Sequence, residues 1–157
     1  MHPREILKAW LPVVVWMALM FFGSTDLMSS EHTSRFLIPF LRWLNPDMSV
    51  ATLNQVQFLV RKAAHVTEYA ILAGLLFRAL RGHITGFWWR AAAALLPALV
   101  FSLSDEYHQT FVASRTGSIY DVLLDSCGAI VGILICRGIH FAFSRNAAGE
   151  GNGPERI

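Results

Sequence analysis

Lys62, His65 and Tyr69 recur at helical intervals, as do Asp121 and Asp125, and between these groups stands "SLSDEYHQTF" (Ser102 to Phe111) with two adjacent carboxylates, a histidine and a glutamine. Side chains spaced i, i+3 and i+4 share one face of a helix. Lys62, His65 and Tyr69 therefore form one polar stripe, Ser102, Asp105 and Gln109 a second, and Asp121 and Asp125 a third that continues into Gly128 and Gly132. Two chemistries fit such a set. As a binding site, Lys62 and Arg115 would meet a phosphate. The carboxylates of Asp105, Glu106, Asp121 and Asp125 would hold those cations in place or accept hydroxyl groups, beside Tyr69 and Gln109. As a catalytic site, His65 would be a general base, Asp105 or Glu106 an acid or a ligand of a divalent ion, and Arg115 a stabiliser of developing negative charge. Metal ligands could be drawn from His65, Asp105, Glu106 and His108, with hard oxygen donors favouring Mg, Ca or Mn over zinc. Spacing alone assigns no metal site, and any cofactor is unknown. The chain has no H-E-x-x-H, no G-x-S-x-G and no phosphate-cradling glycine loop, so no known catalytic signature decides between the two.

The elements that carry these stripes are apolar. With 54% hydrophobic and 15% charged residues over 157 positions, the chain is poorer in charge than a soluble domain, where the share is about 25%. Four runs stand out: Ala9–Gly23, Ala63–Leu80, Phe87–Ser104 and Ile119–Cys136. Each approaches the ~20 residues that cross ~30 Å of hydrocarbon as a helix. Arg4 and Lys8 precede the first run as in a secretory signal, but no small-x-small cleavage site follows and three further runs do, so a retained span is expected. The expected fold is an all-α membrane protein, four transmembrane helices in an antiparallel bundle.

The long connection before the second span contains "RFLIPFLRWL", whose apolar residues fall on one side of a helix, the pattern of a short interfacial helix in the first outer loop. "NPD" at Asn45 to Asp47 then breaks the chain. Ser49 is a possible N-cap for a helix running straight into the second span. Residues 1–143 form the expected transmembrane domain. The Gly- and Asn-rich segment 144–157 reads as a disordered cytoplasmic tail. Lys and Arg are moderately biased to the side of the termini, which places both termini in the cytoplasm. The net charge of +2 reflects this bias. No basic stripe with interleaved aromatics points to nucleic acid. Cys127 and Cys136 lie too far apart on one helix to pair.

In that topology the polar stripes all fall in the outer leaflet. An Asp or Lys at mid-bilayer costs roughly 2.5–3.5 kcal/mol even on the lenient insertion scale, so such groups face each other or a wet cavity. An outer-leaflet polar pocket is the expected result. The bland alternatives are a hydrogen-bonded core histidine at 65, packing glue at Asp121 and Asp125, and a close helix contact at Gly128-x-x-x-Gly132. A proton or substrate path through the membrane is a third functional reading, weakened by the dry inner segments "AGLLF" and "GILIC".

"RKAAHVTEYAILAGLLFRAL", "SLSDEYHQTF" and "SRTGSIYDVLLDSCGAIVG" together resemble the VanZ-like family, named for a bacterial teicoplanin-resistance protein, in order and spacing. The first span with "FFGST" also resembles its opening. The resemblance carries over Lys62, His65, Tyr69, Asp105, Glu106, Gln109, Arg115, Asp121, Gly128 and Gly132. It departs at Asp125, where the family often has asparagine, and at Ala113-Ser114, where it often has Pro-Gly. It implies a multi-pass protein of the bacterial inner membrane, linked to the envelope and in some members to glycopeptide sensitivity. The expected partners are membrane lipids or lipid-linked cell-wall intermediates. The alternative is a membrane-embedded hydrolase or transferase using His65, Asp105 and Glu106 on a phosphate- or acyl-containing substrate.

Overall fold

The computed structural model describes residues 3–24, 30–111 and 117–150. All the elements among them are helical: α1 (Pro3–Gly23), α2 (Ser30–Leu44), α3 (Val50–Ala79), α4 (Phe87–Gln109) and α5 (Ile119–Glu150), with one 3-10 turn at Leu80–Gly82 closing α3. Among the described residues α1, α3, α4 and α5 are long and apolar enough to cross a membrane. Many of their exposed large side chains are apolar, including Leu11, Phe22, Leu96, Val100 and Leu134. Such a surface has hydrocarbon rather than water as its solvent.

Local chemistry sets the helix ends. Ser49 is extended, and its hydroxyl accepts the Thr52 amide at 3.1 Å, satisfying one of the free N–H groups at the start of α3. From there α3 runs without a break through Lys62 and His65, as the sequence leads one to expect. At about 1.5 Å per residue its 30 residues reach about 45 Å, well beyond the ~30 Å core. Helix α2 packs on α3, and Gln57, in the first third of α3, donates to Ser34. Ser49→Ala is expected to lower stability by about 1 kcal/mol, read as faster hydrogen exchange at the first α3 amides and a lower apparent Tm in detergent. Before α4 the chain turns at Gly86, whose φ of 86° would strain a residue with a side chain.

Helix α3 is the hub and touches α1, α2, α4 and α5. Phe77 meets Phe87 near one end of the α3–α4 contact and Tyr69 meets Phe101 farther along. Against α5, Lys62 pairs with Asp121, and Gly74 lies by Cys136. The core between the helices is built from Leu72, Ala73, Leu76, Ala94, Ala98, Ala129 and Ile133. Gly128 and Gly132 lie directly on the Val66 and Ala70 backbone, a closeness that only residues without Cβ permit. The close-contact reading of that pair therefore holds. Helix α5 does not stop near Phe143. It continues to Glu150, so residues 144–150, expected in a disordered tail, are helical, and 151–157 lie outside the described residues.

Candidate functional site

The three polar stripes meet. Helix α3 supplies Lys62, His65 and Tyr69, α4 supplies Ser102, Asp105, Glu106 and Gln109, and α5 supplies Asp121 and Asp125. At the centre is Asp125, 0% exposed, on whose Oδ2 the Ser102 hydroxyl donates at 2.7 Å. The other carboxylate oxygen, Oδ1, lies 3.4 Å from His65 Nδ1. That is ion-pair distance without hydrogen-bond geometry, and neither atom has a hydrogen-bond partner. Glu106, 5% exposed, turns toward the same place. Its Oε2 accepts the Ser118 amide at 2.8 Å and its Oε1 is buried without a partner. His65, Glu106 and Asp125 each bring a ligand-capable atom within 4.8 Å of the other two.

Around this triangle sit two further pairs. Lys62 is ion-paired with Asp121 at the accessible edge, and its ammonium lies 5.2 Å from the centre of the Phe58 ring. Asp105 accepts from Gln109 Nε2 at 2.9 Å one turn along α4, leaving its Oδ1 buried and unpartnered. Tyr69, 1% exposed, packs against Phe101 on the floor of the cluster. Of the expected binding residues, Arg115 lies outside the described residues. His108 does not join: its ring lies 5.1 Å from that of Phe21, toward α1. Two positions beyond Glu106 is about 200° around a helix, which places His108 on another face.

The cluster is packed rather than open. A cleft of about 1430 Å³ does run along the α3/α5 surface, but it is lined by residues such as Ala70, Gly74, Ile135 and Arg137 and by none of the buried polar side chains. Access to the triangle is therefore past Lys62, Asp121 and His65, which retain partial exposure.

These groups can exchange protons or hold a cation. A serine-hydrolase triad they are not, because the Ser102 hydroxyl donates to Asp125 and not to His65. Asp125 is more central than sequence reasoning made it. The signal was present in its spacing, one turn before Gly128 on the face that approaches α3 most closely.

A family model described as VanZ/LLP1 matches residues 9–142. The chain belongs to the VanZ/LLP1 family. Comparison with curated proteins and with solved structures returns no match. The VanZ/LLP1 match takes in all four candidate spans, apart from the first residues of α1 and the end of α5, and every residue of the polar cluster. Family membership and the four apolar helices together identify a VanZ-like, multi-pass membrane protein.

Proposed function

We propose that this VanZ-like protein binds the polar headgroup of a membrane lipid or lipid-linked cell-wall intermediate at the Lys62–Asp121 edge of the cluster. On this reading it sits in a bacterial inner membrane as an antiparallel up-and-down bundle with both termini cytoplasmic. Helix α2 lies in the outer headgroup zone, and the cluster in the outer leaflet. What carries the proposal is that ionisable side chains from three spanning helices converge where hydrocarbon would otherwise surround them. Burying such charges is costly unless they are paired or serve a ligand. Arg115, which follows α4 in the sequence and lies outside the described residues, would be a second cation for a phosphate. By holding lipid-linked wall intermediates the protein would shift sensitivity to glycopeptides such as teicoplanin.

A photoreactive residue in place of Phe58, whose exposed ring lies 5.2 Å from the Lys62 ammonium, irradiated in native membranes, tests this with both cations kept. A lipid-sized adduct identified by mass spectrometry is expected; capture of protein neighbours alone refutes headgroup binding.

One observation favours a second reading, a hydrolase or transferase: Asp125 Oδ1 stands beside His65 Nδ1, as an aspartate that orients a general base does, with Glu106 as the facing acid. Asp105, tied to Gln109, then supports rather than reacts. His65→Gln separates the two readings. On the binding reading neither the wild type nor this variant turns over a phosphate- or acyl-containing lipid; on the acid/base reading the wild type does and the variant loses that turnover.

A further inference from the structure

We propose that His65, Glu106 and Asp125 form a binding site for one divalent transition-metal ion, Mn²⁺ or Zn²⁺ in class, with coordination positions left open toward Lys62 and Asp121. Each of the three residues brings one ligand-capable atom that is buried and unpartnered: His65 Nδ1, Glu106 Oε1 and Asp125 Oδ1. The remaining oxygen of each carboxylate is already held, by the Ser102 hydroxyl at 2.7 Å and by the Ser118 amide at 2.8 Å. Free inner atoms with outer atoms fixed by hydrogen bonds are the arrangement that orients ligands around a metal.

The geometry fits an ion. Ligands ~2.0–2.2 Å from a metal sit roughly 3–3.5 Å from one another. His65 and Asp125 are at that spacing already, at 3.4 Å. The three residues lie within 4.8 Å overall, so a side-chain adjustment of about 1 Å closes the shell.

A cation answers the electrostatics and the geometry of the site together. Glu106 and Asp125 are 5% and 0% exposed, and Lys62 is engaged with Asp121. His65 can supply at most one positive charge to two buried carboxylates. A divalent ion neutralises both and occupies all three orphaned atoms, each of which otherwise carries the cost of a buried polar group without a partner.

The donor set narrows the metal. One imidazole with two carboxylates suits Mn²⁺, Fe²⁺ or Zn²⁺, whereas Mg²⁺ and Ca²⁺ prefer oxygen throughout. No thiolate competes: Cys127 is exposed, and Cys136 Sγ faces the Gly74 carbonyl at 3.9 Å. The site does not depend on the headgroup reading, but it changes what that reading requires. A cluster rich in carboxylates repels a phosphate, and a metal with open positions would accept one.

The test uses the full chain, purified metal-free and reconstituted in nanodiscs without added substrate. Mn²⁺ is titrated by electron paramagnetic resonance, with Zn²⁺ and then Mg²⁺ as competitors. The expected result is one Mn²⁺ bound per chain, displaced by Zn²⁺ and not by equal Mg²⁺. Glu106→Gln and His65→Gln should abolish that stoichiometric binding. Ser102→Ala, which touches no metal, should weaken it by ~10–100-fold. Circular dichroism and a monodisperse elution profile certify the fold of each variant. Should His65→Gln fail to fold, Glu106→Gln and Ser102→Ala decide. Absence of bound Mn²⁺ and Zn²⁺ in the wild type overturns the proposal, as does binding that is equal in the wild type and folded Glu106→Gln. Either result would leave the triangle a structural His65–Asp125 pair, with lipid capture beside Lys62 unaffected.

Discussion

Gly132→Ala is expected to separate α5 from α3 and to cost stability at or above the top of the ~1–3 kcal/mol range for overpacking. A Cβ built on Gly132 runs into the carbonyl oxygen, carbonyl carbon and Cα of Ala70, all backbone atoms of a helix that cannot rotate away. Gly128→Ala meets Val66 in the same way one turn earlier. Two other glycines supply the controls. At Gly74 the nearest neighbour is Cys136 Sγ at 3.2 Å, the end of a side chain that can turn aside, so Gly74→Ala should cost under about 1 kcal/mol. At Gly138 nothing lies within 4 Å, and Gly138→Ala should be neutral or slightly stabilising through helix propensity. Unfolding by SDS titration in bicelles should rank the four with Gly132 and Gly128 far ahead of Gly74 and Gly138. Equal effects across the series would mean that the α3–α5 approach is looser than described.

The second large effect concerns Lys62. Lys62→Met leaves Asp121 without its counter-charge next to Glu106 and Asp125. Breaking a fully buried ion pair costs about 3–5 kcal/mol. Here the two side chains keep 27% and 14% exposure, so the expected loss is smaller, about 1–3 kcal/mol. Adding Asp121→Leu should recover most of it, because removing both charges replaces a costly desolvation with apolar contact. The double variant should therefore be more stable than Lys62→Met alone, with a clear coupling energy in the cycle. It should still fail to capture lipid, since the cation proposed to meet a phosphate is gone. A double variant no better than the single would show that Asp121 has other support.

Much of this arrangement is legible in the sequence, and the reason is periodicity. Apolar runs near 20 residues long announce the spanning helices, and i, i+3, i+4 spacing announces the stripes. Lys62, His65, Asp121 and Asp125 face one another because α3 and α5 present those stripes through the contact that Gly128 and Gly132 permit. Ser49 is legible as a cap because an extended serine before a helical run has few other uses.

Less legible is which of Asp105 and Glu106 reaches His65. Adjacent residues differ by about 100° around a helix, and the choice depends on how α4 is rotated against its neighbours, a matter of packing. Both are buried, but Asp105 turns to Gln109 while Glu106 turns to the triangle. The length of α5 also escapes composition. A Gly- and Asn-containing segment reads as an end, whereas a helix already propagating from Ile119 continues through it at little cost per residue.

The cleft along α3 and α5 has Arg78, Arg81, Arg90 and Arg137 among its lining residues, while Asp105, Glu106, Asp121 and Asp125 gather near the start of α5. The molecule thus has an electrical polarity along its length. In an energised membrane each elementary charge carried through 100 mV is worth about 2.3 kcal/mol. In the orientation proposed above, with the guanidinium groups on the negative side, the voltage would oppose inversion, in addition to the expense of dragging arginine through oil. A bundle so oriented would be held in place by the cell's own energy supply.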